Sequence, residues 1–391
     1  MCLKGNILID STRRILSGIQ VLDFTHVVAG PYVTRVLADL GAEIIKLDLP
    51  IDPDAINPVL SSGRPGYNVG KQSISLDLKT KEGKDIVHKI SQSSDILIEN
   101  FSPGTMKKLG MDFNKLSESN PRLIIASISG FGQSGKSSHR RAFGATAHAE
   151  AGWLWTQQQA ASATEPFAPG VTVADILTAE NCISGILAAL FDREKTGKGQ
   201  QIDVSLMDSQ LAMLSEIANR ALLENSEADH TPSRHPIHKT KDGYVNINIG
   251  TERNWKRIAT AFDNPSEQMP KIADESNGKI ANWVSKFTNE EIAERMNKNG
   301  APFGIVKTLH EAVKNPVFHE RGMITQITNE HSEKIPIISS PMHFSNAISG
   351  PAGVIPIAGE HTRNILRANG YDEDSINSMI ESKIIFEQIR N

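Results

Sequence analysis

Short apolar strands alternate with helices in the N-terminal part of the chain, and this alternation constrains the fold more than any other feature. Helical patterns cover Gly30–Leu40 and Lys79–Gln92. Strand patterns cover Ile19–Phe24, Glu43–Leu47, Asp95–Glu99 and Leu123–Ile128. Buried strands separated by helices predict an α/β fold, in which a parallel sheet has helices on both faces.

Ligands of such sheets bind outside the carboxyl ends of the strands. Three segments directly follow predicted strands and are therefore candidate site loops. They are His26–Ala29, Asn100–Gly104 and Ser129–Gly132.

At 391 residues the chain is too long for one compact core, and its character changes near residue 225. Glu224–His238 is polar and contains prolines and histidines, as is typical of a linker. A half-exposed strand at Gly243–Gly250 and three helical patterns follow. We predict a large domain from 1–224, a small domain at 225–325, and a segment at 326–391 that returns to the large domain.

Composition excludes several function classes. The net charge is −4 and aromatic residues make up 5%, so a nucleic-acid surface is not expected. Two cysteines cannot form a disulfide framework, which fits a reducing cytoplasm. The histidines form no metal pattern, so no metal is expected. The N-terminus has no apolar signal core, and no uninterrupted apolar run is long enough to span a bilayer, so no membrane contact is expected.

Asp175 is the strongest single candidate for chemistry. It lies in an apolar, glycine-bearing segment, Pro169–Ala179, that leads into a helical pattern at Ile176–Phe191. A carboxylate in the first turn of a helix stays ionised because the helix dipole favours negative charge there. Such a group suits covalent catalysis on an acyl group. The alternative is that Asp175 is only the N-cap of the helix.

Gly130–Ser137 matches both a dinucleotide-binding glycine pattern and a P-loop pattern. Each pattern requires a helix to begin near Lys136, yet the continuation Ser138–Gly144 is polar, basic and broken by glycine. We therefore favour a flexible glycine loop beside a ligand. The basic cluster Lys136, Arg140 and Arg141 either holds phosphates or is a solvated loop.

Several segments, taken in order over nearly the whole chain, resemble the family III CoA-transferases, a group that includes formyl-CoA transferase, carnitine CoA-transferase and α-methylacyl-CoA racemase. The segments that carry the resemblance are Gly18–His26, Ala29–Pro31, Leu37–Lys46, Lys71–Lys79, Glu99–Gly104, Ser129–Gln133, Thr196–Gln200 and Gly359–Thr362.

The resemblance implies a Rossmann-like large domain, a smaller α/β domain and an interlocked homodimer, with coenzyme A as substrate and no permanently bound cofactor. The family's nucleophilic aspartate falls on Asp175. Two positions depart from formyl-CoA transferase: Val28 replaces a glutamine and Lys108 replaces an arginine. The family's CoA contacts fall on Val28, Ala29, Leu76, Lys79, Asn100, Phe101, Lys108 and Arg141.

The resemblance predicts transfer of CoA from an acyl-CoA to a small, possibly dicarboxylic, acid through an aspartyl anhydride and an aspartyl-CoA thioester. Arg140, Arg141 or His148 is expected to hold the acid. One alternative is a racemase, whose histidine belongs near Ala142–Gly144, where this chain has Phe143. A second alternative is a non-catalytic CoA-binding subunit of a heteromeric transferase.

Overall fold

The computed structural model describes residues 13–50, 65–224, 237–329 and 333–389. The chain divides into two compact units. The large unit comprises Met1–Trp155, Phe167–Ser226 and Glu320–Asn391, and the small unit comprises Thr156–Pro166 and Glu227–His319. Thr156–Pro166 thus groups with the small unit, whereas the sequence analysis assigned it to the large domain. Most of the predicted linker, 225–236, lies outside the described residues.

The first part of the chain alternates strands and helices, and later carries consecutive helices. The elements, in order, are β1 (Gln20–Asp23), α1 (Ala29–Asp39), β2 (Glu43–Asp48), a 3₁₀ turn (Pro65–Tyr67), β3 (Gln72–Leu76), α2 (Lys81–Ser91), β4 (Ile96–Glu99), α3 (Thr105–Leu109), α4 (Phe113–Ser119), β5 (Ile124–Ser129), α5 (Gly144–Glu150), α6 (Trp153–Ala160), α7 (Val173–Thr196), β6 (Gln201–Ser205), α8 (Leu206–Met213) and α9 (Ser215–Glu224).

The remaining elements are shorter on average. They are β7 (Ile237–Lys239), β8 (Tyr244–Ile247), α10 (Glu252–Ala261), α11 (Ala273–Val284), α12 (Asn289–Lys298), β9 (Phe303–Ile305), α13 (Leu309–Ala312), α14 (Pro316–Glu320), β10 (Ile324–Thr328), β11 (Lys334–Ile338), α15 (Thr362–Ala368), α16 (Glu373–Glu381) and β12 (Ile385–Phe386).

The large unit contains a seven-stranded sheet in the order β12-β3-β2-β1-β4-β5-β6. All of its pairings are parallel except that of β12 with β3. The predicted α/β fold with a parallel sheet is confirmed. The four predicted strands are β1, β2, β4 and β5, while β3 and β6 were not recognised as strands.

Each face of this sheet is covered by a separate apolar cluster. On one face, side chains of α2, α15 and α16 such as Ile86, Leu366 and Ile376 pack on the strands. On the other face, α1 and α7 contribute Leu37 and Ile183. The two clusters hold the sheet rigid, so the loops at its carboxyl ends are anchored on both sides.

Helix α7 has 24 residues and is long and apolar enough, by length and composition alone, to cross a membrane. Its apolar residues do not form an uninterrupted run, since Asp175, Glu180 and Asn181 lie among them. One face of α7 is nevertheless buried in the core of the large unit through Ala179, Cys182, Ile183 and Ile186.

In the small unit, β7, β8 and β9 form an antiparallel sheet. Residues of α10, α11 and α12 cover it, including the fully buried Ile258, Ile280 and Ile292. Trp255 lies in the same core and donates a hydrogen bond from Nε1 to the carbonyl of Glu267 at 2.9 Å. This unit therefore has a hydrophobic core of its own.

Candidate active site

A cavity of about 380 Å³ lies at the carboxyl edge of the large sheet. Its walls come from the segments that follow β1, β4, β5 and β6, together with the start of α7. It brings together seven residues that the sequence analysis singled out: Val28, Ala29, Asn100, Phe101, Arg140, Arg141 and Asp175. The cavity is therefore the candidate active site.

The loop after β1 rests on a buried ion pair. Lys71 Nζ lies 3.1 Å from Asp23 Oδ2, and both side chains are fully buried. Asp23 also accepts hydrogen bonds from the hydroxyls of Thr25 and Thr34, at 2.6 and 2.7 Å. Burial alone would raise the pKa of Asp23, but the positive charges of Lys71 and Lys46 bring it below its usual value. The carboxylate therefore stays ionised and ties this loop to α1.

Two backbone features of the same loop show that its conformation is tightly constrained. Val27 has a φ of 71°, in the left-handed region that β-branched residues rarely adopt. Strain of this kind persists at binding sites when the surroundings enforce it. A methyl group at Gly30 would overlap the side chain of Thr25, so only glycine permits this close turn into α1.

Asn100 fastens the loop after β4 to the loop after β1. Its Oδ1 accepts the backbone N–H of His26 at 2.9 Å, and its Nδ2 donates to the carbonyl of His26 at 2.7 Å. Phe101 packs its ring on Phe24 and on His26, with centroids 6.3 and 5.6 Å apart. The side chain of Asn100 thus holds the cavity wall in place, in addition to lining the cavity.

A row of polar side chains crosses β4, β5 and β6 near their carboxyl ends. In the strand register, Glu99 lies beside Ser127, and Ser127 lies beside Asp203. Glu99 Oε2 accepts the N–H of Phe101 at 2.8 Å. Burial raises the pKa of Glu99 to about 7, a shift to which nearby Asp203 adds. Asp203 Oδ2 accepts the N–H of Gln133 at 2.8 Å and so fixes the glycine loop.

The glycine loop lacks the helix that a phosphate-binding motif requires. Residues 130–143 contain no helix, and the next helix, α5, begins at Gly144. The loop follows β5, which is the fifth strand along the chain. Residues 130–143 therefore lack the structural context of both phosphate-binding patterns, and a loop beside a ligand stays a prediction.

Asp175 is the third residue of α7, and the N-cap of this helix is Thr172. The interpretation of Asp175 as the N-cap is therefore wrong. Its half-buried carboxylate lies in the cavity wall, in the first turn where the helix dipole favours negative charge. A methyl group at Gly144 would overlap Asp175 Oδ2, so the absence of a side chain there makes room for the carboxylate.

The structure does not support His148 as a residue that holds the acid. Its side chain is 2% exposed, and its Nε2 accepts the backbone N–H of Ala174 at 2.9 Å. The ring also packs on Trp153, with centroids 4.6 Å apart. His148 therefore points into the protein and not into the cavity.

The two arginines of the cavity differ in their partners. Arg140 forms a two-point ion pair with Glu150, at 2.8 and 2.6 Å, and stacks on Phe131. Within the described residues, Arg141 makes no hydrogen bond or ion pair with a protein group. An exposed guanidinium in the wall of a cavity is available to an anionic ligand, so Arg141 is a better candidate than Arg140 for binding the substrate.

Three predicted CoA contacts do not line the cavity. Leu76 is fully buried at the end of β3, where it pairs with Ile385. Lys79 and Lys108 are exposed and follow β3 and β4, respectively. Because the carboxyl ends of parallel strands meet at one edge, both lysines lie along the same edge of the sheet as the cavity.

Sequence reasoning missed part of the cavity wall. The missed residue is Leu206, which lines the cavity and directly follows β6, whereas Ser102 and Pro103 belong to the predicted site loop Asn100–Gly104. The alternation of Gln201–Ser205 is a strand signal that would have pointed to Leu206. Gly144 entered the sequence analysis only as a position at which a racemase would carry its histidine.

Comparison with known proteins identifies the family of this chain. The family model "CoA-transferase family III" matches residues 16–362. Human succinyl-CoA:glutarate CoA-transferase is 28% identical, over 95% of this chain and 90% of that protein. The beta subunit of succinyl-CoA–L-malate CoA-transferase from Chloroflexus aurantiacus is 29% identical, over 95% and 98%.

A solved structure agrees with this assignment. The crystal structure of a CAIB/BAIF family protein from Brucella suis superimposes with a TM-score of 0.79 at 26% identity, covering 92% of this chain and all of that one. The chain therefore belongs to CoA-transferase family III and is an enzyme of that class, as the resemblance implied.

Proposed function

We propose that this family III CoA-transferase moves CoA between the thioester of a dicarboxylic acid and a second dicarboxylic acid, with Asp175 as the acyl-accepting nucleophile. The observation that carries the proposal is the half-buried carboxylate of Asp175 in the first turn of α7, inside the cavity at the carboxyl edge of the sheet. The relatives named above act on succinyl-CoA with glutarate or L-malate, which are all dicarboxylates.

The reaction requires no change in the number of thioester bonds. An oxygen of Asp175 attacks the thioester carbonyl, the C–S bond breaks, and CoA leaves as a thiolate while a mixed anhydride forms. The thiolate then attacks the aspartyl carbonyl, releasing the donor acid and leaving an aspartyl-CoA thioester. The acceptor carboxylate enters and the same steps run in reverse, so each covalent intermediate preserves the energy of the thioester.

The proposal assigns the substrate to two regions of the large unit. The cavity of about 380 Å³ accommodates the acyl group and the thioester end of CoA. The nucleotide end lies outside it, along the sheet edge where Lys79 and Lys108 provide positive charge near the phosphates. Val28 and Ala29 line the cavity and are the proposed contacts to the thioester end.

Arg141 explains a preference for dicarboxylates. Asp175 reacts with one carboxyl group of the acid, and the guanidinium of Arg141 in the same cavity wall pairs with the other. A monocarboxylic acid lacks this second contact. Arg140 is held by Glu150 and stabilises the wall on which Arg141 is carried.

The assembly we propose is an interlocked homodimer. None of the residues of α9 is buried in the single chain, and its Leu222 and Leu223 are 79% and 87% exposed. Apolar side chains on a helix without a covering partner are typical of a subunit interface. Because one relative is named as a beta subunit, light scattering of the purified chain must distinguish a homodimer from a monomer that needs a second protein.

The racemase alternative gains no support from the site. A racemase needs a histidine facing the α-carbon of the acyl group. Phe143 lies in that part of the wall. His139, the histidine nearest in sequence, does not line the cavity, His148 is turned inward onto Ala174, and His26, which does line it, belongs to the loop after β1.

The test replaces Asp175 by asparagine and assays a panel of acyl-CoA donors with mono- and dicarboxylic acceptors. Asp175→Asn should lose several orders of magnitude in kcat while it still binds CoA, because an amide is a poor nucleophile. The matched control is Asp208→Asn, since Asp208 is the exposed third residue of α8 and lies outside the cavity.

Hydroxylamine added during turnover should convert Asp175 of the wild type to a hydroxamate that mass spectrometry detects. An active Asp175→Asn variant, or a hydroxamate on another residue, would refute the mechanism.

A further inference from the structure

Helix α5 contacts the first turn of α7 at two points. Gly144, its first residue, lies directly against the carboxylate of Asp175. His148, one turn later on the same face of α5, reaches the backbone N–H of Ala174. Between them, Ala147 packs on Ala174 in a small apolar cluster. One face of α5 thus supports the segment that carries the proposed nucleophile.

The hydrogen bond from Ala174 replaces a helix cap that is missing. The N–H groups of the first helical turn have no partner within the helix and are normally satisfied by the N-cap side chain. The side chain of Thr172, the N-cap of α7, makes no such bond. His148 Nε2 supplies the acceptor instead, from a residue that lies 26 positions earlier in the chain.

The surroundings of His148 keep its ring in the state that can accept this bond. Since a backbone N–H can only donate, Nε2 must carry a lone pair and the ring proton must be on Nδ1. The ring is 2% exposed and packs on Trp153, which fixes its orientation. Burial lowers the pKa of His148, so the neutral form prevails at neutral pH.

We propose that His148 is a positioning residue for the transfer reaction: its Nε2 holds the first turn of α7 so that the carboxylate of Asp175 lies over Gly144 and faces the thioester. The inference rests on the proposed role of Asp175. His148 touches neither the substrate nor the reacting atoms. A small displacement of the nucleophile is costly because a misplacement of about 1 Å lowers a rate by roughly 10²-fold.

The experiment compares two substitutions of His148 in the full chain. His148→Phe keeps a planar ring but has no acceptor, and should lower kcat on the order of 10²-fold with little change in the KM for acyl-CoA. His148→Gln places an amide oxygen near the position of Nε2 and should recover most of kcat. A purely structural role would instead give equal losses in both variants, together with a smaller folded fraction.

Hydrogen exchange provides a second, local measurement. The Ala174 amide should exchange faster in His148→Phe than in the wild type, and His148→Gln should restore its protection. If His148→Phe does not fold, the same comparison can be made between His148→Met, which lacks the amide oxygen, and His148→Gln. The Met and Gln side chains are similar in length.

The outcomes separate this inference from the proposed function. A kcat of His148→Phe close to that of the wild type, with Asp175→Asn inactive, would overturn the positioning role and leave the nucleophile in place. Equal kcat losses in His148→Phe and His148→Gln would also overturn it. An active Asp175→Asn variant would overturn both.

Discussion

The two walls of the candidate active-site cavity are held in place by different interactions. The strand wall, His26–Ala29 with Asn100–Pro103, rests on buried charges and hydrogen bonds, above all the Asp23–Lys71 pair and the amide of Asn100. The helix wall, formed by the starts of α5 and α7, rests on close packing at Gly144 and one hydrogen bond to His148.

The difference indicates a division of labour. Removing one member of a buried ion pair lowers the free energy of unfolding, because the remaining charge is then buried without an opposite charge beside it. Changes in the strand wall should therefore act mainly on the stability of the large unit. Packing against the proposed nucleophile, Asp175, should affect its position more than the stability of the fold, so changes in the helix wall should act mainly on kcat.

The largest effect is expected from Lys71→Met. The substitution leaves the carboxylate of Asp23 fully buried without its ion-pair partner, which should reduce the free energy of unfolding by about 3–5 kcal/mol. Urea unfolding followed by circular dichroism measures the change. The double variant Asp23→Asn/Lys71→Met should recover a large part of the loss. A Lys71→Met protein as stable as the wild type would show that the strand wall does not depend on this pair.

The next effect concerns pH and Glu99, whose pKa is raised from 4.5 to about 7. The folded state binds a proton more tightly than the unfolded state, so the contribution of Glu99 to stability is complete below about pH 4.5 and is lost as the pH rises through about 7. Glu99→Gln should remove this dependence, worth roughly 3 kcal/mol, and gain stability relative to the wild type at the upper end of this range.

Urea unfolding across this pH range measures the Glu99 effect. The control is Glu118→Gln, an exposed position on α4, which should follow the wild-type pH profile. If the stability of Glu99→Gln has the same pH dependence as that of the wild type, the buried carboxyl of Glu99 does not determine the stability of the strand wall.

The smallest of the three effects tests the helix wall. In Gly144→Ala the new methyl group overlaps Asp175 Oδ2 and displaces the carboxylate. We expect kcat to fall by about 10²-fold, with CoA affinity and the urea midpoint close to those of the wild type. Gly278→Ala, a helical glycine with open space around it, is the control. A large loss of stability without a loss of kcat would mean that the two walls do not differ as described.

The strands that were predicted from the sequence are those with apolar residues on both faces. β1, β2, β4 and β5 lie inside the sheet and form nearly continuous apolar runs. β3 was missed because Ser73 and Ser75 interrupt it. Both serines are buried, and the backbone of Ser75 donates to the hydroxyl of Thr362, far along the chain. Local sequence does not contain that information.

The site shows the same limit. Asn100 and Val28 were predicted because each follows a strand, and Asp175 because it begins a helix. The positions of Gly144 and His148 depend on how α5 packs on α7, which no local pattern specifies. His148 was therefore assigned to the acid, although its side chain is directed to Ala174.

The pairing of β12 with β3 has a consequence for synthesis of the protein. Ile385 lies beside Leu76, and Leu366, Ile376 and Ile385 complete the apolar cluster on one face of the large sheet. That face cannot be fully covered until Leu366, Ile376 and Ile385 have left the ribosome, well after β1 to β5 have emerged. Until then the nascent chain must carry an uncovered apolar surface, which is the condition under which chains depend on chaperones.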